Sequence, residues 1–101
     1  MTFQRVASAL DVQPGEVCVF DLDGESIAIA NVEGRFFALD NVCTHDGGPL
    51  GEGALFGDQV ECPRHGARFD VATGQARVLP AVLPVRTYPV RVADGEVEVD
   101  L

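Results

Sequence analysis

The chain of 101 residues contains no lysine and no tryptophan, with a single tyrosine, a single methionine, two histidines and three cysteines. Its seven basic residues are all arginines, set against sixteen acids, so the formal net charge is −9. An excess of acid repels backbone phosphates rather than releasing counterions from them, which excludes nucleic acid as a partner. The same charge disfavours docking on anionic membranes. No stretch approaches the roughly 18 apolar residues that a membrane span requires, and Met1 to Ser8 lacks the basic start and apolar run of a signal peptide. Three cysteines do not build a disulfide framework in a chain of this size, so the expected setting is reducing and cytoplasmic, with thiols available for chemistry. A hydrophobic content of 47% rules out a disordered acidic tail. Residues 1–101 are expected to form one domain.

What is present is alternation, and little helical periodicity. Val17, Val19 and Asp21 oppose Cys18, Phe20 and Leu22; Ile27 and Ile29 alternate with Ala28 and Ala30; Val97 and Val99 alternate with Glu96, Glu98 and Asp100. Asp23-Gly24, Glu33-Gly34, Thr73-Gly74 and Asp94-Gly95 punctuate these runs, and glycine supplies the positive φ of tight hairpin turns. Together they predict an all-β chain, an antiparallel sandwich or barrel. Ala7 to Val12 is expected to hold one helical turn, ended by Pro14 and Gly15. The rhythm breaks at residues 41–57, which contain five glycines and a proline. Gln59-Val60-Glu61 then leads into a second loop at Cys62-Pro63-Arg64-His65-Gly66, and Leu79 to Pro84 forms a third irregular stretch. Glycine-rich loops held between regular strands are where sites are usually built.

Both histidines and two of the three cysteines fall in the first two loops, as Cys43-x-His45 and Cys62-x-x-His65. Two such hooks can converge four soft or borderline ligands on one centre. Two metals fit. Zinc accepts two cysteines and two histidines, though usually with cysteines paired on one hook and histidines on the other. Hooks that each carry one cysteine and one histidine suit a binuclear centre, in which each loop gives one ligand to each iron.

Cys43-Thr44-His45 and Cys62-Pro63-x-His65-Gly66 closely resemble the two signature boxes of Rieske iron–sulfur proteins, and the tail Pro84 to Val92 looks like the end of soluble Rieske-type ferredoxins. The resemblance implies a two-loop cluster-binding subdomain, within about residues 41–70, inserted in the β-fold. It also implies one [2Fe–2S] cluster, with Cys43 and Cys62 on the inner iron and His45 and His65 on the outer one. In the membrane cytochrome-complex branch each box carries a further cysteine, and the two form a disulfide; here those positions are Gly48 and Arg64. That branch also directs serine and tyrosine hydroxyls at the cluster sulfurs, where this chain has Ala67 and Phe69. Losing those donors leaves the reduced cluster less stabilised, so the resemblance implies a potential near the bottom of the roughly −150 to +300 mV Rieske range.

The function implied is a one-electron carrier between a ferredoxin reductase and a terminal oxygenase, not an enzyme. A chain of 101 residues has no room for the large mononuclear-iron domain of the oxygenases themselves. The small subunit of an assimilatory nitrite reductase is an alternative in the same class; a structural zinc-binding interaction module is one from another. Residues 43–50 and 62–69 carry a balance of +1 and the remainder −10, so a near-neutral tip bearing Arg64 and Arg68 is expected to meet the redox partner. Cys18 is expected to be a buried structural thiol, Pro49-Leu50 and Pro80 to Pro84 to cover the cluster, and Tyr88 to place its hydroxyl at the surface.

Overall fold

The structure is a computed structural model that describes residues 2–44 and 47–101. Among these, eleven strands form three antiparallel sheets. The first has the order β1 (Phe3–Ser8), β11 (Glu96–Asp100), β10 (Val90–Ala93). The second runs β2 (Val17–Leu22), β3 (Glu25–Val32), β4 (Arg35–Asp40), β9 (Thr87–Tyr88). The third runs β5 (Ala54–Phe56), β6 (Gln59–Glu61), β7 (Arg68–Asp70), β8 (Ala76–Val78). Among the described residues no helix is long and apolar enough to cross a membrane.

Three of the four turn dipeptides do what their chemistry dictates. Asp23-Gly24, Glu33-Gly34 and Asp94-Gly95 each hold both residues at positive φ, with the aspartates and the glutamate at 51 to 53°. They close the β2–β3, β3–β4 and β10–β11 hairpins. Two consecutive left-handed residues match the twist of the flanking strands. The expected helical turn is shorter than its apolar pattern: only Ala9–Asp11 is helical, because β1 takes Ala7 and Ser8 into its ladder with β11. Ser8 and Asp11 cap that turn reciprocally, through the Leu10 and Ser8 N–H groups.

The β3–β4 hairpin is a wall shared by two cores. Ile27, Ile29 and Ala38 face the space between the first two sheets, with Val12, Tyr88, Val97 and Val99. Ala30 and Leu39 face the third sheet, with Val60, Phe69 and Val71. The isoleucine–alanine alternation thus records two buried faces of different depth rather than one buried and one wet face. The alanine face is shallow because the 3₁₀ turn Leu50–Glu52 lies on it; a Cβ on Gly51 would stand 3.1 Å from the Ala28 Cβ.

The turn between β7 and β8 is built on Asp70, whose Oδ1 accepts the Ala72 and Thr73 N–H groups at 2.8 and 3.0 Å while Oδ2 meets Arg77 at 3.4 Å. Burial alone would raise this carboxyl, but the two N–H groups and Arg77 outweigh it and hold Asp70 below the ordinary aspartate value. A depressed folded-state value stabilises the fold above the unfolded value of about 3.9, and that stability is lost as pH falls through the folded value. Asp70→Asn keeps the acceptor and loses the charge. Urea unfolding of the variant should show about 1 kcal/mol lower stability at neutral pH and a flatter profile below about pH 5; identical acid profiles would remove Asp70 from the linkage.

Candidate metal centre

The first loop leaves β4 at Asp40 and returns at the 3₁₀ turn; the second joins β6 to β7. Their backbones repeat one another. The Cys43 N–H donates to the Gly48 carbonyl at 2.8 Å, and the Gly47 N–H donates back to the Cys43 carbonyl at 2.7 Å. In the second loop the Cys62 N–H donates to Ala67 O at 2.7 Å, and the Gly66 N–H donates to Cys62 O at 3.3 Å. Each cysteine therefore opens a tight loop closed by a glycine four residues on, and both Gly47 and Gly66 have φ 76°. A side chain at that φ is strained, so both positions call for glycine.

The loops carry their cysteines inward. Cys43 and Cys62 are buried in one apolar cluster with Leu50, Ala67, Phe69 and Ala81, and no disulfide engages Cys18, Cys43 or Cys62. His65 is exposed on the outer side of the second loop. His45 lies outside the described residues. Cys18 belongs elsewhere: it sits on β2 against the core between the first two sheets, half-buried rather than buried as expected, because β2 lies at the edge of its sheet, and its Sγ points to the Asp11 carbonyl at 3.9 Å. Burial, with Glu16 and Asp11 nearby, raises the Cys18 thiol and keeps it protonated, as suits a structural residue.

Other residues hold the loops in place. The Asn41 Oδ1 accepts the Gly51 N–H at 2.6 Å, and its Nδ2 donates to Ser26 Oγ at 3.0 Å. One side chain thus ties the two ends of the first loop to each other and to β3. Thr44 Oγ1 donates to the Leu83 carbonyl at 2.7 Å, fastening the same loop to the proline-rich segment. In that segment Ala81 packs into the cysteine cluster, while Leu79, Val82 and Leu83 stand 73%, 74% and 62% exposed. The expected cover is therefore made by Leu50 and Ala81, and the remainder of the segment is an outer apolar surface.

One further expectation changes. Tyr88 is buried and its hydroxyl donates inward to Asp40 Oδ1 at 3.2 Å, because β9 tucks it against β4 between the first two sheets. Arg68 is tied to its own sheet: its guanidinium meets Glu61 at 3.0 Å and lies 4.2 Å over the Phe56 ring. Arg64, on the second loop, is exposed.

An all-β scaffold that presents two loops of matched cysteine geometry, with their thiols in one apolar pocket, defines a small iron–sulfur electron carrier. A family model for the Rieske [2Fe–2S] domain matches residues 2–89. The chain is 43% identical over 101 residues to the ferredoxin component of biphenyl 2,3-dioxygenase from Rhodococcus jostii (strain RHA1), covering 100% of this chain and 94% of that protein. It superimposes on the Sphingomonas yanoikuyae B1 ferredoxin with a TM-score of 0.93, at 38% identity and 99% coverage of each chain. The ferredoxin in a complex of reduced oxygenase and oxidised ferredoxin of carbazole 1,9a-dioxygenase matches with a TM-score of 0.90 and 38% identity, over 96% of this chain and 91% of that one. The chain belongs to the Rieske [2Fe–2S] domain family. It is a Rieske-type ferredoxin, an electron-transfer component with a [2Fe–2S] cluster and not itself an enzyme. The donor set fits that group: buried thiols and an exposed imidazole suit a cluster with a thiolate-bound inner iron and an imidazole-bound outer one.

Proposed function

We propose that Cys43 and Cys62 ligate one iron and His45 and His65 the other, and that the chain takes single electrons from a ferredoxin reductase and delivers them to a terminal oxygenase of the aromatic-ring dioxygenase type. The observation that carries the ligand assignment is the repeated loop geometry around Cys43 and Cys62, which gives both sequence boxes one backbone frame. The cluster, when bound, accepts and releases one electron at a time. The protein's part is to hold and shield it: Leu50, Ala67, Phe69 and Ala81 keep water from the cysteine side, and the second loop carries His65 to the surface where a partner can approach. Ala67 and Phe69 offer no hydroxyl to the sulfurs, which supports the low-potential reading. Single domain organisation over residues 1–101 is supported by β3 and β4 serving both cores.

The exposed Leu79, Val82 and Leu83, fastened to the first loop through Thr44, form the apolar surface on which the oxygenase would seat. Fully desolvated apolar anchors carry most of the affinity of such contacts. Leu83→Glu leaves the Leu83 carbonyl and the Thr44 bond in place. In steady-state turnover with a reductase and an aromatic-ring dioxygenase, its KM as the varied component should rise about tenfold while the reduction potential stays put. An unchanged KM would take this surface out of the docking face.

A further inference from the structure

The second and first sheets leave a gap at one corner. β4 is covered by β9 only at Ala38 and Leu39, so among the described residues no strand pairs with the outer side of Arg35 to Phe37. β10 is the edge of its sheet, paired with β11 alone. Between the two edges runs a groove of about 640 Å³, walled by Arg35, Phe36, Val90 and Val92, with Val71 and Ala72 closing one side.

The phase of each hairpin fixes where its backbone points. A two-residue turn makes the flanking residues a hydrogen-bonded pair, and such pairs recur at every second position. In β3–β4 the bonded pairs are then Val32 with Arg35 and Ala30 with Phe37, so the N–H and C=O of Phe36 face away from β3. In β10–β11 they are Ala93 with Glu96 and Arg91 with Glu98, so Val90 and Val92 turn theirs away from β11. Two bonds confirm the phases: Asp40, in step with Phe36, donates outward to Arg86 O at 2.9 Å, and Pro89 O, in step with Arg91, accepts from Asp100 N–H at 3.0 Å. Phe36, Val90 and Val92 therefore present donors and acceptors from both walls of one groove, the geometry that accepts an added strand.

Charge selects the occupant. Arg35 and Arg91 line the groove, and no acid among the described residues does. Arg91 is held by Glu98 at 2.6 Å. Arg35 forms no ion pair among the described residues; it stacks 5.4 Å from the Phe37 ring. A second copy would bring its own Arg91 edge against Arg35 and −9 against −9. We propose that this groove binds an extended segment of a protein partner by strand addition, with a carboxylate of that segment meeting Arg35. The uncovered stretch lies at the Glu33–Gly34 end of β4, whereas Cys43 follows the opposite end, so an occupant leaves the cluster loops accessible.

The test is amide chemical-shift titration of the ¹⁵N-labelled holo-protein with a synthetic peptide of alternating glutamate and valine, and with its lysine counterpart. The acidic peptide should shift Phe36, Val90 and Val92 selectively, and its Kd should rise about tenfold in Arg35→Glu. Val92→Pro should weaken it equally, since proline there deletes a groove-facing donor and no ladder bond; the visible spectrum of each variant reports that the fold is kept. No shift at these amides at millimolar peptide, or equal binding of the lysine peptide, overturns the proposal. So does a concentration-dependent dimer abolished by Val92→Pro, which would give the groove to a second copy.

Discussion

Cys62→Ser should yield a colourless protein without acid-labile sulfide, its electron-transfer rate down by more than about a hundredfold; even partners outside the ligand set cost 10–100-fold at metal sites. The thiol is 1% exposed among apolar side chains, so the hydroxyl that replaces it is a poor ligand for iron and meets no water. An unpaired hydroxyl in such a pocket costs roughly 1–3 kcal/mol, which adds a modest loss of stability. Cys18→Ser is the matched control, because Cys18 lies against the other core; that variant should keep its colour and its rate. Iron and sulfide analysis of the two proteins side by side decides the matter. A red-brown Cys62→Ser protein with full iron content would break the assignment of the second loop as a ligand loop.

The site was legible where its chemistry is local, and hidden where it depends on pairing. Cys43, His45, Cys62 and His65 stand out because side chains able to bind metal cluster at short spacing, and the glycines closing each loop are required by a φ that sequence neighbours already suggest. Asn41 and Thr44 gave no such signal. Their partners, Ser26, Gly51 and Leu83, come close only once β3 pairs with β4 and the proline-rich segment folds back. The same division runs through the fold. Type I′ turns announced three hairpins from two residues each, while β1 escaped notice: Phe3 to Ser8 lacks clean alternation, and its ladder with β11 is broken by an irregularity between Arg5 and Ala7. Tyr88 misled for a related reason. A tyrosine in a two-residue strand reads as surface, but the short β9 is the piece of chain that crosses from one sheet to the other, and its phenol is needed inside. Burial there, together with Asp40, raises the Tyr88 hydroxyl above its ordinary value, as expected for a group held neutral.

Gly53→Ala should be a severely damaging single-methyl change, lowering stability by about 3 kcal/mol and the melting temperature by roughly 10 °C or more. Gly53 has an ordinary negative φ of −81°, so the cause is space rather than conformation. A Cβ built there falls on the carbonyl of Glu61, with the Leu50 carbonyl at 3.2 Å on another side. Backbone hems in the methyl, so no side-chain rotation relieves the overlap; β5 and β6 must part. Glu61 is the residue before Cys62, and Leu50 begins the turn that ends the first loop, so Gly53 is where the roots of the two cysteine loops touch. Parting them should therefore speed cluster loss as well as lower stability, measured as bleaching of the visible spectrum at a temperature where the wild type holds. Gly57→Ala separates this from ordinary glycine effects. Gly57 has φ 63° with nothing within 4 Å of its Cβ position, so that variant should lose only about 1–2 kcal/mol and bleach at the wild-type rate. Equal melting temperatures for Gly53→Ala and the wild type would mean that the two loops are not joined through this contact.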